Sequence, residues 1–405
     1  MSRLDWFNEA RFGMFIHWGA YSVGARGEWI ANRERIPRDE YIRNYASQWK
    51  AEHYDPRRWV ELAVDAGMKY VVLTTRHHDG FALWDSQESD FNAARIGPKR
   101  DLLRPFADAV REAGLRLGFY YSPANWYHPD YPNPFCRDWP GSADWRDEAA
   151  RLRFMAYYQA QVRELMTHYG KVDMLWYDGV APGNLQSSEL NEEVRRLQPG
   201  ILINDRNGEP FDYRNCEQAI RPAAEGESWE ACMTLNDNWG FHAGDDNWKS
   251  SKQVIDMLLM TAMKAGNLLL NIGPRADGIV PERSVEILRE VGGWLRRNGE
   301  FLPHSERSPF SWNCTALLTT RGSRIYLHFV RDPCGEFCLA EIRNRVLRAW
   351  FLATGEPVEF EQEGERLFLR RLPDPLPDRP ITTIALEVEG KPEPITVQGT
   401  FWIPG

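Results

Sequence analysis

Across roughly the first three hundred residues, short apolar runs alternate with amphipathic stretches of helical period, and no other feature of the chain constrains its fold as much. A strand buried on both faces reads as an unbroken apolar run, and a helix packed on a sheet as apolar residues three and four apart. Their regular succession is the pattern of a parallel sheet built from βα units. Asp55-Pro56 sets an N-cap and an N1 proline ahead of Trp59, Leu62 and Ala63, and Gly67 stops that helix before the run Tyr70-Val71-Val72-Leu73-Thr74. The unit then repeats. Leu102, Leu103, Phe106, Ala109, Val110 and Ala113 fall at helical spacing, Gly114 ends them, and Leu117-Gly118-Phe119-Tyr120-Tyr121 reads as a strand. The spacing predicts a helix over about Ser142 to His168 feeding a strand from Val172 to Tyr177. After it come a helix near Ser188 to Leu197, the strand Ile201 to Asn204, a helix near Ser251 to Lys264 and the strand Leu268 to Asn271. With Phe12 to His17 at the start and a weaker strand near Trp229 to Leu235, about seven barrel strands are expected.

Past Gly299 the character changes. Pro303-His304-Ser305-Glu306-Arg307-Ser308-Pro309 has linker composition, and Thr315 to Thr320, Arg321-Gly322 and Ser323 to Phe329 read as a hairpin with a glycine turn. Pro373, Pro375, Pro377 and Pro380 crowd one loop and exclude a long helix there. The expected architecture is α/β: an irregular TIM-like (β/α) barrel over residues 1–305, followed by a small antiparallel β-sandwich over 306–405.

A net charge of -9 with no basic run excludes a phosphate-backbone partner, since nucleic-acid affinity needs clustered Lys and Arg. No apolar stretch is long enough to span a membrane, and the first residues leave no room for a secretory leader, so a cytoplasmic protein is the expectation. Cys136, Cys216, Cys232, Cys314, Cys334 and Cys338 lack the paired spacing of a zinc site and read as free thiols. Seventeen Trp and fifteen Tyr are many for the length, and aromatic faces suit the C–H faces of sugar rings, although most such rings simply fill a core.

In a βα barrel the strand C-termini form the active face. Polar residues close the apolar runs here: His17-Trp18-Gly19, His77-His78-Asp79-Gly80, Tyr121-Ser122, Asp178-Gly179, Asn204-Asp205-Arg206 and Asn271-Ile272-Gly273. Asp178 is the sharpest of these, because an ionised carboxylate after Leu175-Trp176-Tyr177 is costly to bury without partners. It reads either as a nucleophile for an anomeric carbon or as a cap of the loop through Gly179. Glycoside hydrolysis needs a second carboxyl group to protonate the leaving oxygen. Glu217 and Glu230 are both candidates: Glu230 has the more apolar setting, which raises the pKa of an acid, and Glu217 sits in a loop with reach. In an extended chain the adjacent His77 and His78 point in opposite directions, which speaks against a pair of convergent metal ligands and for imidazoles that hydrogen-bond sugar hydroxyls.

Together these strings resemble the alpha-L-fucosidases of glycoside hydrolase family 29. Those that carry the likeness are Phe12-Gly13-Met14-Phe15-Ile16-His17-Trp18-Gly19, Glu28-Trp29, His77-His78-Asp79-Gly80-Phe81, Trp176-Tyr177-Asp178-Gly179, Asn204-Asp205-Arg206, Trp239-Gly240-Phe241 and Leu268 to Pro274, in family order over about residues 5 to 300. The resemblance implies a retaining double displacement that releases terminal alpha-L-fucose, on an irregular barrel followed by a β-sandwich, with no cofactor or metal and a fucosylated carbohydrate as substrate. It implies Asp178 as nucleophile and Glu217, ahead of Glu230, as acid/base. His17, Glu28, Trp29, His77, His78, Trp176 and Arg206 match fucose contacts, and Trp239 an aromatic contact. Arg76 stands where many members have Lys, and Phe241 where many have Tyr. Two other readings fit the same pocket: a retaining glycosidase for a sugar of similar shape, such as an alpha-L-galactoside, and a sugar-binding pseudo-enzyme without its acid.

Overall fold

The computed structural model of the chain describes residues 2–132, 147–179, 187–310 and 313–395. The apolar runs become parallel strands of one curled sheet: β1 (Phe12–Ile16), β2 (Tyr70–Arg76), β3 (Arg116–Tyr121), β4 (Met174–Tyr177), β5 (Leu202–Ile203), β6 (Arg214–Glu217), β7 (Trp229–Thr234) and β8 (Asn267–Ile272). Their order is β5-β4-β3-β2-β1-β8-β7-β6, and a single parallel bridge between Asn204 and Tyr213 links the two ends into an irregular barrel. Among the described residues the sheet has eight strands where about seven were expected. The unforeseen one is β6, Arg214-Asn215-Cys216-Glu217, in which no residue is buried, so neither period nor hydrophobicity announces it. It is held as an edge strand by its ladder to β7, from Arg214 opposite Trp229 to Glu217 opposite Cys232. The strand judged weaker, β7, is buried along its whole length.

The helices start where their caps dictate. Pro56–Asp65 opens on Asp55, whose carboxylate accepts the Arg57 N–H at 3.1 Å, a cap contributing about 1 kcal/mol. Ser251–Ala262 opens on a reciprocal capping box of Ser250 and Gln253. Leu103–Glu112 and Ser187–Leu197 fall within a residue or two of expectation. The helix Glu148–His168 is capped by Asp147, and residues 142–146, from which it was expected to start, lie outside the described residues, as does Cys136.

Side chains alternate across the sheet, and the alternation divides the core in two. Met14, Ile16, Val71, Leu73, Phe119, Leu175 and Leu270 face the helices. Phe15, Tyr70, Val72, Tyr120, Trp176, Cys232 and Leu269 fill the barrel. Loss of one such buried ring costs on the order of 3 to 5 kcal/mol. Gly13 belongs to this inner packing: a Cβ there would lie 2.4 Å from the Tyr70 ring, so only glycine lets that ring cross the barrel.

The C-terminal strands are antiparallel. A hairpin of β9 (Ala316–Arg321) and β10 (Arg324–Phe329) turns at Gly322, whose φ is 58°. With β11 (Phe337–Leu339), β12 (Val346–Phe351), β13 (Phe360–Glu363), β14 (Arg366–Leu369) and β15 (Thr382–Val388), it builds a four-stranded sheet, β12-β15-β10-β9, and a three-stranded one, β11-β14-β13. The two sheets share a core of their own around Leu318, Leu327, Leu367 and Leu386. They meet the barrel where the Trp294 Nε1 donates to the Ile381 carbonyl at 2.7 Å.

Candidate active site

Asp178 follows the last residue of β4 and stands above Trp176 on the inward side of the barrel. Its Oδ1 accepts from the Arg206 guanidinium and from the Gly179 N–H at 2.8 Å, and its Oδ2 from the Tyr120 hydroxyl at 2.8 Å. The His78 Nε2 lies 3.5 Å from the same Oδ2. Burial pushes the Asp178 carboxyl up, but His78, Arg206 and the two hydrogen bonds outweigh it and leave the group below the usual carboxylate range. His78 is itself pushed down by burial, against the opposing pull of Asp178.

Arg206 is delivered by the short helical turn Asp205–Asn207 after β5. One of its nitrogens holds Asp178 and the other donates to the Glu217 Oε2 at 2.8 Å, while its plane lies 4.8 Å from the Trp176 ring centre. Glu217 is the last residue of β6, not part of a free loop as the sequence suggested. Its side chain is 43% exposed against 17% for Asp178. One guanidinium therefore spans both carboxylates at the mouth of the barrel.

These groups border a cavity of about 450 Å³, enough for a small ligand. His17, Trp29, His77, His78, Trp176, Arg206 and Trp239 line it together with Asp178 and Glu217. Glu28 lies behind that lining. It is buried, which raises its carboxyl, and its Oε2 accepts the Gly240 N–H at 2.7 Å beside Trp239. His17, bonded through Nδ1 to Asn271 at 2.7 Å, is pushed down to about 4 by burial, so its ring is neutral.

The alternation argument fails for the adjacent histidines. Strand β2 ends at Arg76, so His77 and His78 lie in the turn beyond it, and both rings reach the cavity with centres 4.2 Å apart. Ligand atoms of His77, His78 and Asp178 lie within 4.8 Å of one another, a spacing that could hold a metal ion. The chemistry fits a cation poorly, because Arg206 already supplies the positive charge on Asp178.

A family model described as "Alpha-L-fucosidase" matches residues 2–300. The tissue alpha-L-fucosidase of Homo sapiens is 33% identical over 366 residues, spanning 81% of this chain and 76% of the relative. The structure is similar to alpha-L-fucosidase isoenzyme 1 from Paenibacillus thiaminolyticus, with a TM-score of 0.90 at 37% identity over 96% of this chain and 99% of that one. It is also similar to a trapped covalent intermediate of a Bacteroides thetaiotaomicron alpha-L-fucosidase in complex with 2-fluoro-fucosyl fluoride, with a TM-score of 0.84 at 26% identity over 96% of each chain. The chain belongs to the alpha-L-fucosidase family.

As a member it is a glycoside hydrolase, on the barrel and β-sandwich of the fucosidase fold. Glu230 sits deeper than Glu217. It is the second residue of β7, fully buried, and accepts from the Tyr70 hydroxyl at 2.6 Å, the Trp176 Nε1 at 2.8 Å and the Asn215 amide at 3.2 Å. Burial pushes it up to about 7, as its apolar setting suggested, yet it is not among the groups lining the cavity. Phe15, Tyr120, Trp126 and Cys232 do line it, and none was singled out from sequence. Strand alternation would have found Tyr120, two residues from Gly118 on the inward face, in place of Tyr121, which packs against the helices.

Proposed function

We propose that Asp178 is the nucleophile and Glu217 the general acid/base of a retaining exo-glycosidase that removes terminal alpha-L-fucose. The observation that carries this reading is the Arg206 bridge, which holds both carboxylates at the mouth of an aromatic-lined cavity. In the first step the Asp178 carboxylate bonds to the anomeric carbon as the glycosidic C–O bond breaks, and the leaving oxygen takes the Glu217 proton. In the second, water attacks that carbon from the vacated face, gives its proton to Glu217 and releases Asp178, so the configuration is retained. The covalent intermediate trapped in the Bacteroides relative supports this course. The exposure of Glu217 at the end of an edge strand lets it swing from Arg206 to the leaving oxygen.

Fucose lacks a hydroxyl at C6, so its site pairs an apolar wall with polar contacts. Trp29, Trp176 and Trp239 provide the wall, and His17, His77, His78 and Arg206 the hydrogen bonds. Glu28, anchored on Gly240, completes the set. We assign the barrel to residues 1–305 and the β-sandwich to 306–405, with structural support as the role of the latter. A fucosylated glycan is the substrate, and the net charge of -9 speaks against nucleic acid. Among the described residues no helix is long and apolar enough to cross a membrane. The free thiols of Cys216, Cys232, Cys314, Cys334 and Cys338 fit a reducing, cytoplasmic setting.

The test is Asp178→Gly on an aryl alpha-L-fucoside. Turnover falls by more than about a thousandfold, and added azide restores part of it by taking the place of the missing carboxylate, giving a fucosyl azide of inverted configuration. A variant as fast as the wild type sinks the assignment.

A further inference from the structure

We propose that Arg76 is a positioning residue for this reaction: its guanidinium fixes the segment 122–126 and, through it, the cavity wall formed by Ala124 and Trp126. The proposal rests on the reading of the cavity as the fucoside site. Arg76 is fully buried and faces the long helix Glu148–His168, because the register of β2 on β3 slips between Thr74 and Arg76. One nitrogen donates to Gln161 Oε1 at 2.9 Å and Tyr157 OH at 3.3 Å. The other donates to the Ser122 carbonyl and to the Ala124 carbonyl at 3.2 Å, while the guanidinium carbon lies 4.2 Å from the Tyr121 ring centre. A buried carbonyl without a donor is costly, so these two oxygens tie the segment to the helix layer.

What the segment carries is the active-site wall. Ser122 Oγ meets the His78 Nδ1 at 2.6 Å, and the Trp126 N–H donates to the His78 carbonyl at 2.8 Å. The Trp126 ring stands 4.9 Å from Trp29 and 5.3 Å from His78, centre to centre. Ala124 abuts Gly179, where an added Cβ would lie 3.4 Å from the Ala124 Cβ. A shift of the two carbonyls would thus move a sugar-facing ring and the ground beside Asp178 together. A lysine at this position does not reproduce these contacts, since an ammonium lacks the planar fork that reaches the helix and both carbonyls at once.

The experiment compares wild type, Arg76→Lys, Trp126→Ala and the double variant on an aryl alpha-L-fucoside, with melting temperatures measured in parallel. Arg76→Lys is expected to raise KM on the order of tenfold with a much smaller change in kcat, as loss of ground-state positioning does. If Arg76 acts through the wall, the double variant is little worse than Trp126→Ala alone, because coupled sites do not add. Additive losses, or a fall in melting temperature with KM unchanged, would overturn the proposal while leaving the fucosidase reading intact. A wild type inert toward the fucoside would sink that reading and this inference with it.

Discussion

Two glutamates lie on the inward side of neighbouring strands, one at the rim of the barrel and one on its floor. At the rim, Glu217 is 43% exposed and shares Arg206 with Asp178. One inward step lower, where Glu230 stands opposite Asn215 and Cys232 opposite Glu217, Glu230 is sealed under Trp176 by three donors. An apolar setting does what it was expected to do to the lower carboxyl, lifting it to about 7. It also leaves that carboxyl outside the lining of the cavity. The two differ in height along the strand by a single inward step, about 6.6 Å.

The comparison breaks most decisively on leaving-group dependence. Glu217→Ala should lower kcat/KM on a natural fucosyl disaccharide by about a hundredfold to ten-thousandfold, and far less on an activated aryl fucoside, which needs no protonation. Glu230→Gln should slow both substrates alike. The two variants compared by steady-state kinetics give the ratio directly, and a larger ratio for the floor residue would exchange their roles.

Stability sharpens the same contrast through pH. The Glu230 carboxyl sits at about 7 in the folded chain against 4.5 for an unperturbed glutamate, so the folded state holds a proton that the unfolded chain gives up. For a raised carboxyl, the contribution is intact at pH values below 4.5 and is lost as pH climbs through about 7. Glutamine has no proton to lose. The stability of Glu230→Gln relative to wild type should therefore improve by on the order of 2 to 3 kcal/mol between about pH 4.5 and pH 8. Denaturation midpoints across that range check it, and parallel curves would show that the floor carboxyl is not proton-bearing.

The sequence made much of this legible, and its failures share one cause. Apolar runs located β1 to β5, β7 and β8, because strands buried on both faces must be apolar. Asp178, Arg206 and the histidines stood out because they close those runs. Strand β6 was invisible, since an edge strand with no buried residue is held by its ladder and by the bridge at Tyr213, not by burial. Without β6, Glu217 read as a loop residue and its height against Glu230 had no measure. The histidine pair misled for a related reason: the strand stops one residue before it, and alternation does not extend into a turn.

Tyr120 tests how far the floor supports the rim. Its ring stacks on Trp176 at 5.7 Å, and its hydroxyl donates to the Asp178 Oδ2, so it connects the sealed layer to Asp178. Tyr120→Phe keeps the ring and removes one donor to a charged acceptor. Hydrogen bonds of that kind contribute about 1.5 to 3 kcal/mol, and solvent at the partly exposed carboxylate brings the expected loss toward the lower end, about tenfold in kcat/KM. The donor helps to hold Asp178 below the usual carboxylate range, so its removal must raise that group. As the proposed nucleophile, Asp178 would attack only when ionised, and the acid limb of the kcat/KM profile should therefore move to higher pH. A slower enzyme with an unmoved acid limb would mean that Tyr120 orients the carboxylate without tuning its charge. An unchanged rate would mean that Arg206 and the Gly179 N–H hold Asp178 unaided, and that the floor ends at Trp176.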